Sequence, residues 1–420
     1  MTAPSDATWG KTPHRLLALS EAWDILAADI EPMQRETVPL AQAAERVLAA
    51  PVINADDAPP FDKSMMDGFA VRSGDCREPG AALEVLGLAA AGDTAVQAVG
   101  PGQAVRINTG APVPSGADAV VPIENVRLTD GGRRVTIGAA VCAGRHIVPR
   151  GADRKRHDLI LAPPIRLEAH RIAAAASAGA ATVEVFPEVH AAIAVTGNEL
   201  VPVGRPRQPA QIYESNGPML AALLRRFGAT PHTSGILRDD PAELKAGLAD
   251  ALRHPVVVAV GGMSMGTHDL VPQVFTDLGV TWRFHGVRVR PGKPAAYGRG
   301  PDGQHVFGLP GNPVSAFVCA WLFVRMVVRG LHGHPPLPPP RWRAALTRDL
   351  PPGKDARPAF LPARVWCTAS RGMQVEPCAW GGSGDLFGLA PANALLVRDD
   401  PTAPAPAGSP ADVILIAAEP

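Results

Sequence analysis

Residues 256–269 combine an uninterrupted apolar segment with a glycine-rich loop, and this combination restricts the fold more than any other stretch of the chain. Val256–Val260 contains four valines and one alanine, which predicts a strand buried on both faces, as in a parallel sheet covered by helices. Gly261 ends this strand. The apolar residues after the loop recur at helical spacing and predict a helix: Leu270, Val271, Val274, Phe275 and Leu278.

The loop itself contains Gly261, Gly262, Ser264 and Gly266. Glycines let the backbone approach a ligand closely, and successive free N–H groups together with the following helix N-terminus attract an anion. One interpretation is therefore a phosphate site, and the other is an ordinary tight turn between strand and helix. Asp269 closes the loop, where it either caps the helix or meets a metal ion held by bound phosphate.

Strand and helix patterns alternate over residues 190–329, which indicates a doubly wound parallel sheet. Residues 80–155 show short alternating runs broken by glycine and proline, typical of a β-rich module, and the pattern after residue 341 predicts a small β-barrel-like domain. A helix is predicted near Ser20, and a second helical pattern covers residues 40–48. We therefore expect an α/β multidomain protein.

Composition excludes several classes of function. A chain of 420 residues suggests roughly two to four domains. Forty basic and forty acidic residues leave no net charge, which argues against a general nucleic-acid or membrane-surface binder. The five cysteines are never spaced as Cys-x-x-Cys, and neither an export signal nor a long apolar run is present. We expect a cytoplasmic protein with reduced thiols.

Polar residues follow two predicted strands of the α/β region. Asn198 and Glu199 lie after the strand at residues 191–195, and open α/β sheets bind ligands at such strand ends. Asp240 has the context of a helix N-cap, whereas the adjacent Asp239 has no such local explanation. A second glycine turn follows the strand at 305–309 and leads into another helix, with Pro310, Gly311, Asn312 and Ser315 in its first residues.

Two segments before residue 156 contain further candidate site residues. The loop at residues 59–72 contains Asp62 and Asp67, which could hold a metal ion or water, or could serve helix capping and turn chemistry. We find no local structural task for Asp67. Thr109 offers a hydroxyl at a strand end, which suits either a functional residue or a turn former, and Asp153 closes the β-rich module.

Residues 288–294 form a short basic segment between the two glycine turns. Pro291, Gly292 and Pro294 restrict its backbone, so that Arg290 and Lys293 are held as a pair of cations. We interpret this pair as an oxyanion site, although a basic run is also commonly a solvated surface.

Taken together, these motifs resemble the molybdopterin molybdenumtransferases, the MoeA and gephyrin E-domain enzymes of molybdenum cofactor synthesis. The likeness spans nearly the whole chain in the family's order, and the sequence Leu-Pro-Gly-Asn-Pro-Val-Ser-Ala at 309–316 is especially close to the family pattern. The matching blocks are residues 61–72, 107–118, 196–200, 235–241, 261–269, 290–294 and 308–316.

The resemblance implies a homodimer whose active site is shared between subunits, and four domains. These are a MogA-like α/β domain of residues 14–34 and 188–334, a linking and dimerisation domain of 35–53 and 157–187, a β-rich domain of 54–156, and a C-terminal barrel-like domain of 335–420. It also implies molybdenum insertion from molybdate into adenylylated molybdopterin, with release of AMP and with Mg²⁺ as cofactor. Other partners would be the molybdopterin adenylyltransferase and the enzymes that receive the cofactor.

The resemblance also implies roles for individual residues. The catalytic candidates are Asp67, Thr109, Asp153, Glu199, Asp239 and Asp269, of which Asp67, Glu199, Asp239 and Asp269 are the candidate metal ligands. The candidates for substrate binding are Gly261, Gly262, Ser264, Gly266, Arg290, Lys293, Pro294, Pro310, Gly311, Asn312, Ser315, Arg357 and Ser383. Asn198 and Arg290 depart from the family, which usually has Asp and Lys at these positions.

Two alternatives come from other classes of protein. One is a molybdopterin adenylyltransferase-like enzyme, whose core would resemble residues 190–330 alone. The other is a non-catalytic molybdopterin-binding scaffold, which should carry a long additional domain. The domains that flank residues 190–330 argue against the first, and the chain has no additional domain of the kind that the second requires.

Overall fold

A computed structural model describes residues 15–93, 96–263, 270–353 and 355–417. The chain divides into two compact units. Unit 1 contains Met1–Arg35 and Phe186–Pro420, and unit 2 contains Glu36–Val185. The predicted site residues Ser264, Gly266 and Asp269 lie outside the described residues.

Unit 2 consists almost entirely of short strands, as predicted for residues 80–155. A four-stranded sheet has the order β1-β14-β2-β13 and a six-stranded sheet the order β8-β5-β7-β6-β10-β9, beside the pairs β11-β4 and β12-β3. After the first helix of unit 1, α1 (Leu19–Asp29), the elements of unit 2 are β1 (Glu36–Pro39), β2 (Val47–Leu48), β3 (Val52–Ile53), β4 (Lys63–Ser64), β5 (Gly68–Val71), β6 (Ala82–Ala89), β7 (Gln103–Ile107), β8 (Ala119–Pro122), β9 (Val126–Thr129), β10 (Arg134–Ile137), β11 (Ile147–Val148), β12 (Leu159–Leu161), β13 (Ile165–Arg166), α2 (Ala169–Ser177) and β14 (Thr182–Val185).

The helical pattern predicted at residues 40–48 is wrong. Only Leu40–Gln42 forms a single 3₁₀ turn, and Val47–Leu48 is a strand whose partners are β13 and β14. Short apolar runs do not distinguish a helix from a strand by periodicity, and here pairing with residues more than a hundred positions away decided the outcome.

Unit 1 contains a six-stranded mixed sheet with the order β18-β15-β19-β22-β21-β20. The first four strands are parallel, as the alternating pattern predicted, but β21 runs antiparallel to both of its neighbours. The elements are β15 (Val189–Thr196), β16 (Leu200–Val201), β17 (Ile212–Tyr213), α3 (Asn216–Phe227), β18 (Ala229–Leu237), α4 (Pro241–Ala251), β19 (Val256–Val260), α5 (Leu270–Asp277), β20 (Thr281–His285), β21 (Ala296–Arg299), β22 (His305–Leu309), α6 (Pro313–Cys319) and α7 (Arg325–Leu331).

The strand β19 lies at the centre of this sheet and is buried on both faces, which confirms the prediction from its composition. Val256, Val258 and Val260 pack with helices α1, α3, α6 and α7 on one face. Val257 and Ala259 pack with α4 and α5 on the other. Because successive side chains of a strand point to opposite faces, only an unbroken apolar run can serve both layers.

Helices α6 and α7 form one helix, Pro313–Leu331, through a π-helical turn at Ala320–Val324. Among the described residues this is the one helix whose length of 19 residues and hydropathy of 1.7 would allow it to cross a membrane. However, 83% of it is buried inside the protein, where it forms much of the core of unit 1. Its apolar character is therefore explained by packing.

The C-terminal residues of unit 1 form a closed five-stranded barrel with the order β23-β25-β24-β26-β27, which confirms the barrel-like prediction. Phe360, Leu395, Val397 and Ile414 of the barrel belong to the same hydrophobic core as the helices of the α/β region. The elements are β23 (Trp342–Leu346), β24 (Ala359–Thr368), β25 (Gly372–Pro377), α8 (Leu386–Leu389), β26 (Ala394–Arg398) and β27 (Pro410–Leu415).

Candidate functional site at the strand ends

Five strands of the unit 1 sheet, β15, β18, β19, β20 and β22, run in the same direction, so their carboxyl ends lie at one edge. The loops at this edge begin at Gly197, Arg238, Gly261, Gly286 and Pro310. Most of the residues that the sequence analysis selected in unit 1 therefore lie on loops at one edge, which is where open α/β sheets bind ligands.

Gly261 is required by a close approach between two backbones. Its φ of +92° lies in the left-handed region, and a Cβ atom there would lie 2.3 Å from the backbone oxygen of Thr196. Gly262 also has positive φ, +58°, and a Cβ would lie 2.8 Å from Val271. The neighbouring turn lies within van der Waals contact, since a Cβ on Gly311 would lie 3.6 Å from the Gly261 Cα. The two predicted glycine turns thus lie side by side.

Two buried polar atoms at this edge have no hydrogen-bond partner among the described residues. They are Oγ1 of Thr196, at the end of β15, and Oδ1 of Asn216, in the first turn of α3. The Asn216 amide nitrogen donates to the Gly311 carbonyl at 2.8 Å, which fixes the side chain against the second turn. The side chain of Asn216 is buried, 8% exposed, and this burial is a tertiary feature that no sequence pattern signalled.

The carboxylates at the strand ends differ in what they contact. Asp240 accepts from the amides of Ala242 and Glu243 at 3.0 and 2.9 Å, so its predicted N-cap role is confirmed. Asp239 and Glu199 are exposed, and within the described part of the chain neither carboxylate has a hydrogen-bond or ion-pair partner. The loops meet where the Asp239 amide donates to Oδ1 of Asn198 at 3.3 Å.

The basic segment begins after β20 and is held by its backbone. Arg290 pairs with the barrel strand β24, donating its amide to Pro358 at 2.9 Å and accepting from Phe360 at 2.8 Å. The Lys293 carbonyl accepts from Val287 at 2.9 Å. Both cationic side chains are exposed, while Pro291 and Gly292 are buried, so the turn presents the two charges from an anchored backbone.

Arg357 is already paired, which the sequence analysis did not predict. Its Nε donates to both oxygens of Asp355, at 3.0 and 2.8 Å. The hydrogen bonds from Arg357 lower the pKa of the Asp355 carboxyl to about 2, with a further contribution from the charge of Arg290. An anion that binds Arg357 would therefore either replace the Asp355 carboxylate or share the guanidinium with it.

The remaining candidates of unit 1 lie around the start of the long helix. Nδ2 of Asn312 donates to Oγ of Ser383 at 3.1 Å, and the Val314 amide donates to the Ser383 carbonyl at 3.0 Å. Ser315 is buried, and so is Pro310, whereas Pro294 is half-buried. Ser383 thus meets the second glycine turn, although the two are separated by about seventy residues of sequence.

In unit 2, Asp67 and Thr109 form a contact of their own. The Thr109 amide and hydroxyl both donate to Oδ1 of Asp67, at 2.7 and 3.1 Å. Asp67 therefore has a tertiary contact, which joins two loops 42 residues apart and which no local pattern indicated. Asp62 likewise accepts from the Arg150 amide at 2.7 Å. Asp153 is exposed, and its backbone amide donates to Ala58.

The carboxylates at this edge suit a magnesium ion held jointly by protein and substrate better than a metal site formed by protein ligands alone. Among the described residues, no group of three or more His, Cys, Asp or Glu side chains is arranged to hold a metal. Glu199 and Asp239 nevertheless leave two carboxylates without partners in adjacent loops. Mg²⁺ is commonly bound by one or two carboxylates together with substrate phosphate oxygens, so these two residues fit that arrangement.

Three family models match successive parts of the chain. The model described as the MoeA N-terminal region (domain I and II) matches residues 17–179. The model described as a probable molybdopterin binding domain matches residues 192–330, and the MoeA C-terminal region (domain IV) matches 343–416.

Similar proteins agree with these models. A molybdopterin molybdenumtransferase of Staphylococcus aureus is 32% identical over 390 residues, covering 90% of each chain. One from Nostoc is 37% identical over 305 residues, covering 71% of this chain and 70% of the relative. The crystal structure of a molybdopterin biosynthesis MoeA protein from Pyrococcus horikoshii matches with a TM-score of 0.82 and 28% identity, covering 96% of this chain and 100% of the other. The chain therefore belongs to the molybdopterin molybdenumtransferase family of enzymes.

Proposed function

We propose that this enzyme inserts molybdenum from molybdate into adenylylated molybdopterin and releases AMP. The observation that supports this most directly is the single sheet edge at which five strand ends bring together two glycine turns, a basic turn and two carboxylates that have no partner among the described residues. A substrate that carries phosphate groups and a dianionic second substrate need this combination of backbone donors, cations and metal-binding carboxylates.

Each group has a separate task in the proposed reaction. The backbone of the Gly261 and Gly311 turns binds the phosphate groups of the nucleotide and pterin, while Arg290 and Lys293 hold molybdate in position. Glu199 and Asp239 would hold Mg²⁺, and Asp269 is a further predicted ligand. When bound, Mg²⁺ neutralises negative charge on the phosphoanhydride.

The proposal is tested by incubating the purified protein with adenylylated molybdopterin, molybdate and Mg²⁺, and measuring AMP by chromatography. We expect AMP release that depends on molybdate. An adenylyltransferase-like enzyme would instead consume ATP and molybdopterin to form the adenylylated compound. A scaffold would bind molybdopterin without forming AMP, so the assay distinguishes all three functions.

Removing either cation of the basic turn should weaken the use of molybdate. Lys293→Ala and Arg290→Ala each remove a charged hydrogen bond worth about 1.5 to 3 kcal/mol. The molybdate concentration needed for half-maximal AMP release should rise roughly ten- to a hundredfold. The fold should be retained because both side chains are exposed.

Arg288→Ala is the matched control, because Arg288 is an exposed arginine of the same segment that we do not assign to the site. We expect its molybdate dependence to equal that of the unchanged enzyme. An unaltered molybdate dependence in both Lys293→Ala and Arg290→Ala would show that the basic turn does not bind molybdate.

We further propose that the enzyme is a homodimer in the cytoplasm, as the family resemblance implies. In the loop before Asp67, the apolar side chains of Phe61, Met65 and Met66 are 40%, 52% and 36% exposed, which suits a surface covered by another chain. Sedimentation equilibrium should give about twice the chain mass of 43.8 kDa at assay concentration. An active monomer would contradict this prediction.

A further inference from the structure

A cavity of about 250 Å³ lies in unit 1 between the helices of the α/β region and the C-terminal barrel. Its walls combine arginines with aromatic and aliphatic side chains. The lining residues are Arg226 and Phe227 from α3, Trp321, Arg325 and Arg329 from the long helix, and Pro340, Trp342, Ile414 and Leu415 from the barrel side.

In the part of the chain that the structure describes, the three arginines of this cavity have no acidic partner. Among the described residues, no carboxylate lies within ion-pair distance of Arg226, Arg325 or Arg329, although ion pairs are common elsewhere on this barrel, as at Arg341 and Arg343. Arg325 and Arg329 are half-buried and lie one helical turn apart. Two like charges in a partly buried position repel each other and are poorly solvated.

Burial and the neighbouring charge also shift the pKa values of groups in this region. Burial, with a smaller contribution from the charge of Arg329, lowers the pKa of the Arg325 guanidinium to about 10. Burial lowers the pKa of His334 to about 4, with contributions from Arg329 and Arg325. The cavity is therefore a region of uncompensated positive charge.

Helix dipoles account for only part of this arrangement. Arg226 and Arg329 lie in the last turns of α3 and α7, where a cation is favourable. Arg325 lies within the long helix, before its last turn, so the dipole does not explain it. Trp321 packs between the cations, with the guanidinium carbons of Arg226 and Arg325 at 5.5 and 5.9 Å from its ring centroid.

Trp321 supplies a further observation. The residue is 5% exposed, and its indole Nε1–H has no hydrogen-bond partner among the described residues. A buried N–H donor without an acceptor is costly, and most such donors in folded proteins are satisfied by protein atoms, water or a ligand. The Nε1 atom itself is shielded, so the groups that an acceptor-only ligand in the cavity, such as a dianion, would complement are the three guanidinium groups.

We propose that this cavity binds a phosphate-class oxyanion, either free or as the monoester of a small molecule. The cavity is separate from the strand-end site. Arg325 lies ten residues along the long helix from Ser315, which corresponds to about 15 Å. The inference does not depend on the proposed reaction, because none of the cavity residues is assigned to that reaction.

The test is isothermal titration of the full-length chain with sodium phosphate, with sodium chloride of equal ionic strength as the reference. Arg325→Met and Arg329→Met remove one charge each while retaining an apolar side chain of similar length. Each should weaken phosphate binding roughly tenfold or more, as expected for the loss of a charged hydrogen bond. Molybdenum insertion should remain unchanged in both variants.

Arg225→Met is the matched control, since Arg225 is exposed in the same last turn of α3 as Arg226 but does not line the cavity. It should bind phosphate normally. Arg226→Met, at an exposed position, provides a third cavity variant that should fold even if a half-buried substitution does not. Phenyl phosphate as a second probe distinguishes free phosphate from a phosphate monoester as the ligand. Tighter binding of phenyl phosphate than of phosphate indicates a monoester whose ring contacts Trp342.

Two results would overturn the proposal. One is the absence of phosphate and phenyl phosphate binding to the unchanged chain above the chloride reference. The other is binding that is equally strong in the unchanged chain and in the Arg226, Arg325 and Arg329 variants, since that anion would then bind elsewhere.

Discussion

Replacing Gly261 with alanine is expected to destabilise unit 1 by about 2 to 5 kcal/mol and to abolish molybdenum insertion. The positive φ costs a non-glycine residue about 1 to 2 kcal/mol. The added Cβ would lie 2.3 Å from the Thr196 backbone oxygen, and overpacking of this kind costs about 1 to 3 kcal/mol more. Because the clashing atom is a backbone oxygen, which cannot rotate away as a side chain can, the loop must move. The proposed phosphate-binding turn then moves with it.

The control for this prediction is Gly235→Ala in β18. Gly235 also has positive φ, +81°, but a Cβ there would meet no atom within 4 Å. The free energy of unfolding of Gly235→Ala, measured in urea, should be only about 1 to 2 kcal/mol lower than that of the unchanged chain. This difference is the cost of the φ angle alone. Equal destabilisation of the two variants would show that the close approach between Gly261 and Thr196 contributes nothing.

The adjacent residues Asp239 and Asp240 should show opposite effects when substituted. Asp240→Ala removes an N-cap, which should cost about 1 kcal/mol of stability and leave molybdenum insertion nearly unchanged. Asp239→Asn removes a charge that no described residue uses structurally, so stability should be retained. If Asp239 holds Mg²⁺, turnover should fall on the order of a hundredfold, with a raised Mg²⁺ requirement.

Both variants are measured by urea unfolding and by AMP release over a range of Mg²⁺ concentrations. Normal turnover with unchanged Mg²⁺ dependence in Asp239→Asn would remove this residue from the proposed site. The assignment would then rest on Glu199 and Asp269.

Local elements of the fold could be predicted from the sequence because their causes are local. The strands β19 and β22 have the predicted bounds, and Gly261 ends β19, as predicted, with a φ of +92°. Apolar periodicity, a capping side chain and a glycine with positive φ act within a few residues of the chain. The N-cap of Asp240 was predictable for the same reason.

The sheet around these elements was less predictable. The alternating pattern predicted parallel strands but not the reversed strand β21, which pairs with β20 and β22. A strand's direction in a sheet depends on its neighbours, and the apolar pattern of β21 is equally compatible with either direction.

The sequence by itself determined which residues form the strand ends and glycine turns, and the family likeness indicated which of them to consider together. Only the tertiary structure decided how individual side chains are paired. It placed Thr109 against Asp67, and it brought Arg226 of α3 to the same cavity as Trp321, Arg325 and Arg329 of the long helix. In both cases the groups that meet come from separate elements of the chain, whereas the Asp355–Arg357 pair is local. Electrostatic and hydrogen-bond partners across such distances depend on how whole elements pack, which a local sequence pattern does not encode.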